Sequence, residues 1–152
     1  MTMTVKQVPA PFVRPLRQAI LRPHQTIEEC VFPGDDGPDA AHFGAFVDGQ
    51  IVSIGSIFPE SPAGQLIPNA WRLRGMATLP DVRGEGYGAG ILTACIAHAR
   101  EHGGQLIWCN ARTPAIGFYR KFGFVTVGEE FELPGIGPHY VMESHLDAEE
   151  TA

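Results

Sequence analysis

Gly84, Gly86, Gly88 and Gly90 alternate directly after a β-rich run and directly before a run with helical spacing. Glycine lets a backbone turn tightly and lets a ligand come close, yet each one weakens a helix start by up to about 1 kcal/mol. Something must compensate. The N–H groups that open a helix have no partner inside it and sit at its positive end. A strand, a glycine loop and a helix N-terminus in that order therefore read as an anion site suited to a pyrophosphate. The plain alternative is a glycine-rich turn that holds nothing.

The rest of the chain frames that loop. Thr4 to Val8 reads as a strand stopped by Pro9 and Pro11. Phe12 to Leu21 spaces Phe12, Leu16, Ala19 and Ile20 like one face of a helix, which Pro23 ends. Thr26 to Cys30 reads as a further helical turn with Thr26 as its cap. Pro33 to Asp39 is a loop by its turn residues. His42 to Val47 and Ile51 to Phe58 flank Asp48-Gly49, a strong hairpin signal. Trp71 to Leu79 is a strand closed by Pro80, and Gly86 to Arg100 a helix with Ile91, Leu92, Cys95, Ile96 and Ala99 on one face. Gln105 to Asn110 is a short buried strand. Thr113 is positioned to cap a helix from Pro114 to Lys121, and Phe124 to Phe131 and Tyr140 to Leu146 complete the strands. The polar tail from Asp147 is expected to fray.

This alternation predicts a mixed α/β chain whose 152 residues make one domain. Hydrophobic residues make up 44%, enough for a core without metal or disulfide staples. The net charge of −6 lacks the basic footprint of a nucleic-acid binder. Cys30, Cys95 and Cys109 are odd in number and contain no CxxC pair, so reduced thiols in a cytoplasm fit best, with neither disulfide framework nor zinc site. Met1 to Pro11 has no apolar run and reads as no signal peptide, and no stretch is long and apolar enough to span a bilayer. His98 and His102 could share a helix face, but with no third ligand in view they read as surface histidines and no metal is expected.

Three phosphate-binding signatures compete for the glycine loop. Gly84-x-Gly86-x-x-Ala89 formally satisfies the dinucleotide fingerprint, but that fingerprint needs an acidic residue at the end of the next strand, which here ends in Asn110. The nucleotide-triphosphate loop fails because no Gly-Lys-Ser/Thr follows. The third fits. Leu73-Arg-Gly-Met-Ala-Thr-Leu-Pro-Asp-Val-Arg-Gly-Glu-Gly-Tyr-Gly-Ala-Gly-Ile-Leu92 resembles the coenzyme A motif of the GNAT acyltransferases, with Arg83, Gly86 and Gly88 in its named positions. Asn110-Ala-Arg-Thr-Pro-Ala-Ile-Gly-Phe-Tyr-Arg-Lys-Phe-Gly-Phe124 is similar to that family's second signature, in the same order and at a fitting distance.

The resemblance implies a mostly antiparallel mixed sheet of six to seven strands with helices on both faces, the acyl-CoA N-acyltransferase type. It implies acetyl-CoA as acyl-donor substrate, lying where the strand of Met76, Ala77 and Thr78 splays from the strand ending at Asn110. The pyrophosphate would rest on Arg83, Gly84, Glu85, Gly86, Tyr87, Gly88 and Ala89, and backbone N–H groups near Ala77 would face the developing oxyanion. Tyr119 falls on the family's proton-donor position; its plain alternative is a core aromatic beside Phe118 and Phe122. Asn110 would touch the pantetheine or an ordered water, or simply cap its strand. Some branches carry a Glu before the loop as base. Ala70 to Leu79 has no carboxylate, only Arg72 and Arg74. The base would then come from elsewhere, act through water, or be unnecessary; His139 has the intrinsic pKa of a base, although a lone His after Pro138 is also a common turn residue. Cys109, beside Leu106 to Trp108, reads as buried. The acceptor would be a small-molecule or peptide amine; Arg72 and Arg74, if they face the cleft, would suit one that also carries an anion. A homodimer is compatible with the family. A non-catalytic acyl-CoA-binding or sensing module on the same fold is the alternative to an enzyme.

Overall fold

The β-rich runs pair largely in sequence order, as short turns between alternating segments require. In the computed structural model, which describes residues 3–146, they form one seven-stranded sheet. The strands are β1 (Thr4–Val8), β2 (Ala41–Val47), β3 (Gln50–Pro59), β4 (Ala70–Thr78), β5 (Leu106–Arg112), β6 (Val125–Leu133) and β7 (Gly137–His145). Their order across the sheet is β1-β2-β3-β4-β5-β7-β6. All neighbours are antiparallel except β4 and β5, which the crossover through a helix makes parallel. The expected order of strands and helices holds. The last strand begins earlier than expected, at Gly137, because Pro138 and His139 pair with Glu132 and Phe131. The tail from Asp147 lies outside the described residues.

One face is covered by α2 (Tyr87–Glu101), which buries Ile91, Leu92, Cys95 and Ala99 against Trp71, Leu73, Ile107 and Cys109. Completely burying a residue such as Ile91 or Leu92 stabilises by about 1.5–3 kcal/mol. His98 and His102 stack with ring centroids 4.1 Å apart, and His98 also meets Trp71 edge-on at 5.6 Å, so His98 belongs to the flank of this core rather than to open surface. The short α3 (Ile116–Arg120) packs beside the same cluster through Tyr119.

The opposite face is covered by residues 10–21. They form one irregular helical stretch: a 3₁₀ turn at Ala10–Phe12, α1 (Arg14–Leu16), then a wider π turn at Arg17–Leu21. The expected face is therefore corrected. Phe12 is 52% exposed, whereas Val13 and Arg17 are completely buried. Pro11 and Pro15 lack the N–H that a regular ladder needs, so the stretch changes pitch along its length and a 3.6-residue count misplaces the face.

Candidate functional site

The site begins with one extra residue. Between β3 and β4, Ile54 pairs with Ala77 and Ser56 with Arg74, so two residues of β4, Gly75 and Met76, stand opposite Gly55 alone. Gly75 takes φ +73°, a left-handed value that suits a bulge residue without a Cβ. The bulge reverses which face each side chain meets. Before it, Trp71 and Leu73 face α2 while Arg72 and Arg74 face the other way, Arg72 toward Trp108 and Arg74 toward Phe32; after it, Met76 faces α2, and Ala77 joins Val13 and Leu16 on the other side. Thr78 Oγ1 lies 2.8 Å from Ser53 Oγ.

The same irregularity opens the sheet. β4 and β5 pair only at Ala70–Leu106, Trp71–Ile107 and Arg72–Trp108. Beyond these, β4 runs on to Thr78 and β5 to Arg112 with no ladder between them. At the far end of β4 a 3₁₀ turn, Pro80–Val82, leads into the glycine loop. Arg83 Nε donates to the Thr78 carbonyl at 3.2 Å. Gly86 precedes α2 with φ +90°, no side chain caps the helix, and its first hydrogen bond is from Gly90 N–H to the Gly86 carbonyl. The amides of Tyr87, Gly88 and Ala89 thus have no acceptor within the helix. Nothing lies within 4 Å of where a Cβ on Gly84 or Gly86 would sit. The Tyr87 side chain is buried in the core, whereas Glu85 is exposed. A Cβ on Gly88 would lie 3.6 Å from Thr78 Oγ1 and 3.7 Å from the Phe118 ring, so β4, the loop and α3 meet there. Parted strands ending at open, uncapped amides fit a long ligand with a terminal diphosphate.

Tyr119 lies on the α2 side, packed on Phe118 (5.1 Å) and Phe124 (5.6 Å) in the cluster that holds Cys109 and Met142. Among the described residues nothing hydrogen-bonds its hydroxyl. Burial, and then the neighbouring Cys109 and Cys95 thiols, push its pKa well above the usual phenol range. Burial likewise pushes the Cys109 thiol up to about 12, which excludes it as a nucleophile at neutral pH.

Residues alternate across β5, so Trp108, Asn110 and Arg112 face the other way, together with Glu143, Val141 and His139 of β7. His139 is buried. Its Nδ1 lies 2.8 Å from the Gly137 carbonyl, which can only accept, so Nδ1 is the donor and Nε2 is the ring nitrogen that this bond leaves unused. Tyr119 and His139 are therefore on opposite faces of the sheet. Thr113 does not cap α3: its hydroxyl donates to Glu130 Oε2 at 2.7 Å, tying the end of β5 to β6.

The face carrying Arg74 holds a buried polar network that periodicity concealed. Arg17 donates to both carboxylate oxygens of Asp35 (2.6 and 2.9 Å), to the Cys30 carbonyl and to Ser56 Oγ. Burial alone would raise the Asp35 carboxyl, but hydrogen bonds and charge from Arg17 hold it below the usual carboxylate range. His42 donates from Nε2 to the Asp35 carbonyl and accepts at Nδ1 from Ser56. Burial lowers its pKa, so its 3.9 Å approach to the Asp35 carboxylate is not an ion pair at neutral pH. The centres of both the Arg17 and Arg74 guanidinium groups lie over the Phe32 ring, at 3.8 and 4.0 Å. Arg72 pairs with Glu60 and lies over Trp108 at 4.9 Å. Burial, then the charge of Arg72, pull Arg74 down to about 10, still cationic at pH 7. The sequence singled out Arg72 and Arg74 but not Arg17, Arg22 or Asp35; the one available signal was a charged pair flanking a helical run and a turn. Among the described residues no group of three or more His, Cys, Asp or Glu could hold a metal ion, and no helix is long and apolar enough to cross a membrane.

Residues 11–124 match the Acetyltransferase (GNAT) family. The chain is 40% identical over 144 residues to the uncharacterized N-acetyltransferase YitI of Bacillus subtilis (strain 168), covering 95% of this chain and 97% of that one. Its fold superposes on the ribosomal-protein-S18-alanine N-acetyltransferase of Escherichia coli with a TM-score of 0.74 at 17% identity, over 95% and 94% of the two chains. It also superposes on an aminoglycoside 6′-N-acetyltransferase complexed with coenzyme A, with a TM-score of 0.75 at 12% identity, over 94% and 97%.

Proposed function

This chain is a member of the GNAT acetyltransferase family, and from that premise we propose that it moves an acetyl group from acetyl-CoA to the amine of a small-molecule or peptide acceptor by direct attack. The observation that carries the reading is the parting of β4 and β5 beyond Arg72 and Trp108, with the uncapped amides of α2 at the end of the gap. The whole chain serves as one catalytic domain, and its three buried free cysteines suit a reducing cytoplasm.

In this reading the backbone of Met76, Ala77 and Thr78 receives the pantetheine arm as an added strand. Arg83 to Ala89 hold the pyrophosphate, chiefly through backbone N–H groups, since Tyr87 is committed to the core. Asn110, on the facing strand, borders the gap. The amine nitrogen forms a bond to the thioester carbon, with the backbone N–H near Ala77 facing the oxygen that gains charge. The carbon–sulfur bond breaks and Tyr119 protonates the departing thiolate. Free thiols titrate near 8.5 and phenols near 10, so this transfer is uphill. The burial that raises Tyr119 also raises the basicity of a thiolate released beside it, which limits the gap. His139, on the other face with Nε2 not used by the Gly137 bond, takes the proton of the attacking amine through water. Donor and acceptor of protons thus lie on opposite faces of the sheet.

Calorimetric titration with acetyl-CoA tests the cofactor. Micromolar affinity is expected, and Gly86→Val should abolish it, because φ +90° strains any L side chain and the new methyls fill the space open to the diphosphate. An unmodified protein that binds no acetyl-CoA would sink the reading; one that binds it but acetylates no amine would be a binding module.

A further inference from the structure

Resting on the acyl transfer proposed above, we propose that the acceptor is an amine that also carries an anion, a carboxylate or phosphate, and that Arg74, with Arg22 and Arg112, receives that anion on the sheet face opposite Tyr119.

Cations outnumber their carboxylate partners on this face. Arg14, Arg17, Arg22, Arg72, Arg74 and Arg112 all belong to this side of the molecule. Asp35 is occupied by Arg17 and Arg14, Asp36 by Arg14, and Glu60 by Arg72. Arg74 and Arg112 have no ion pair or hydrogen bond among the described residues, and Arg22 has only a 3.3 Å bond to the Leu21 carbonyl. The three are not solvated surface charges such as Arg83 or Arg120. Each is half-buried beside other cations: Arg112 acts on Arg22, and Arg72, Arg17 and Arg22 act on Arg74, where the opposing charge is Glu60, already paired with Arg72. A chain with 17 acidic residues and a net charge of −6 leaves its cations unmatched here. Half-buried guanidinium groups that repel one another are costly, and an anion from outside relieves both the repulsion and the lost hydration.

Position makes that anion part of the acceptor. Arg74 directly precedes the bulge at Gly75 and is two residues before Met76, so it stands where β4 leaves β5; Arg112 lies at the end of β5 across the parting. The Phe32 ring fixes the Arg74 head in place, and a guanidinium so held can grip a carboxylate or phosphate with two parallel hydrogen bonds. Phosphates of the coenzyme are a different matter: the loop that suits them leads into α2, on the other face. Wholly cationic amines would meet repulsion here, which is selection against the wrong acceptor.

The test uses the full chain and matched acceptors: phenylalanine, its amide and phenethylamine, and phosphoethanolamine beside ethanolamine. Release of coenzyme A thiol gives kcat/KM for each. The acidic member of a set should exceed its neutral and cationic partners by about tenfold or more, and carboxylate against phosphate identifies the anion. Arg74→Gln should bring the ratio close to one while leaving the Kd for acetyl-CoA unchanged, and Arg112→Gln should narrow it. A preference for cationic amines would overturn the proposal. So would an Arg74→Gln protein that keeps the ratio, or one that loses acetyl-CoA affinity with the ratio intact, which would assign Arg74 to coenzyme phosphate. Melting temperatures with each compound read the anion site without turnover. Stabilisation by the acidic members that Arg74→Gln abolishes supports the site even if no amine is acetylated; its absence, with no transfer, refutes it. Failure of the wild-type protein to bind acetyl-CoA instead refutes the acyl-transfer reading alone.

Discussion

Tyr119 carries an unusual combination: its side chain is largely buried, its pKa is raised above the phenol range, and its hydroxyl, with no partner among the described residues, is not among the fully enclosed polar atoms. A structural hydroxyl in a core is normally hydrogen-bonded, so removing this one leaves nothing unsatisfied. Tyr119→Phe should therefore leave the folded protein as stable as before, within about 0.5 kcal/mol, and should leave the Kd for acetyl-CoA unchanged. If the hydroxyl donates a proton in the reaction, kcat falls by about 10²–10⁴-fold. Thermal unfolding, titration and steady-state rates separate these outcomes; unchanged kcat would reduce Tyr119 to packing. The raised pKa also sets the pH profile. With an α-amine acceptor, titrating near 8, the rate should rise to about pH 8 and then hold level, because Tyr119 stays protonated well beyond that.

At the scale of elements, β4 decides most of the site. Its bulge parts it from β5, turns Met76 and Thr78 toward α2, and leaves Arg74 on the opposite face. Gly75 makes this possible. A Cβ there would lie 3.2 Å from the Phe32 ring and 3.3 Å from Arg17 Nε, at φ +73°. The left-handed backbone alone costs an L residue about 1–2 kcal/mol, and the crowding of Phe32 adds to it. Gly75→Ala should lower the urea midpoint accordingly, with an unchanged m-value, and should weaken any acidic acceptor more than acetyl-CoA. A substitution without effect on stability would show that the bulge tolerates a side chain.

For the whole molecule, the buried thiols make alkaline pH the vulnerable side. Burial raises Cys95 and Cys109 above their unfolded values, and Tyr119 similarly. A group whose folded pKa is raised adds stability that is fully present below the unfolded pKa and is lost as pH climbs toward the folded one. The unfolded chain releases these thiol protons from about pH 8.5 while the native protein keeps them. Unfolding free energy should hold from pH 7 to about 8.5 and then fall, by up to about 1.4 kcal/mol per pH unit for each of the two thiols. Urea denaturation between pH 7 and 10 checks this, and Cys109→Ala should flatten the decline; a level curve to pH 10 would contradict the burial argument.

The glycine loop, the helix face of Ile91, Leu92, Cys95 and Ala99, the Asp48-Gly49 hairpin and the order of the strands were legible in the chain, because each depends on residues within a turn or two of one another. Sequence alone also singled out Tyr119, Asn110 and His139, though not that Tyr119 and His139 lie on opposite faces. That depends on strand parity, which a single inserted residue reverses. The buried Arg17–Asp35 pair joins residues 18 apart across a loop, the gathering of Arg22, Arg74 and Arg112 joins segments 38 to 90 residues apart, and the pitch change that exposes Phe12 is set by packing against the sheet. No local pattern encodes such contacts: a guanidinium reads as a solvated charge until packing takes its water away and leaves it either a carboxylate, as for Arg17, or none, as for Arg74.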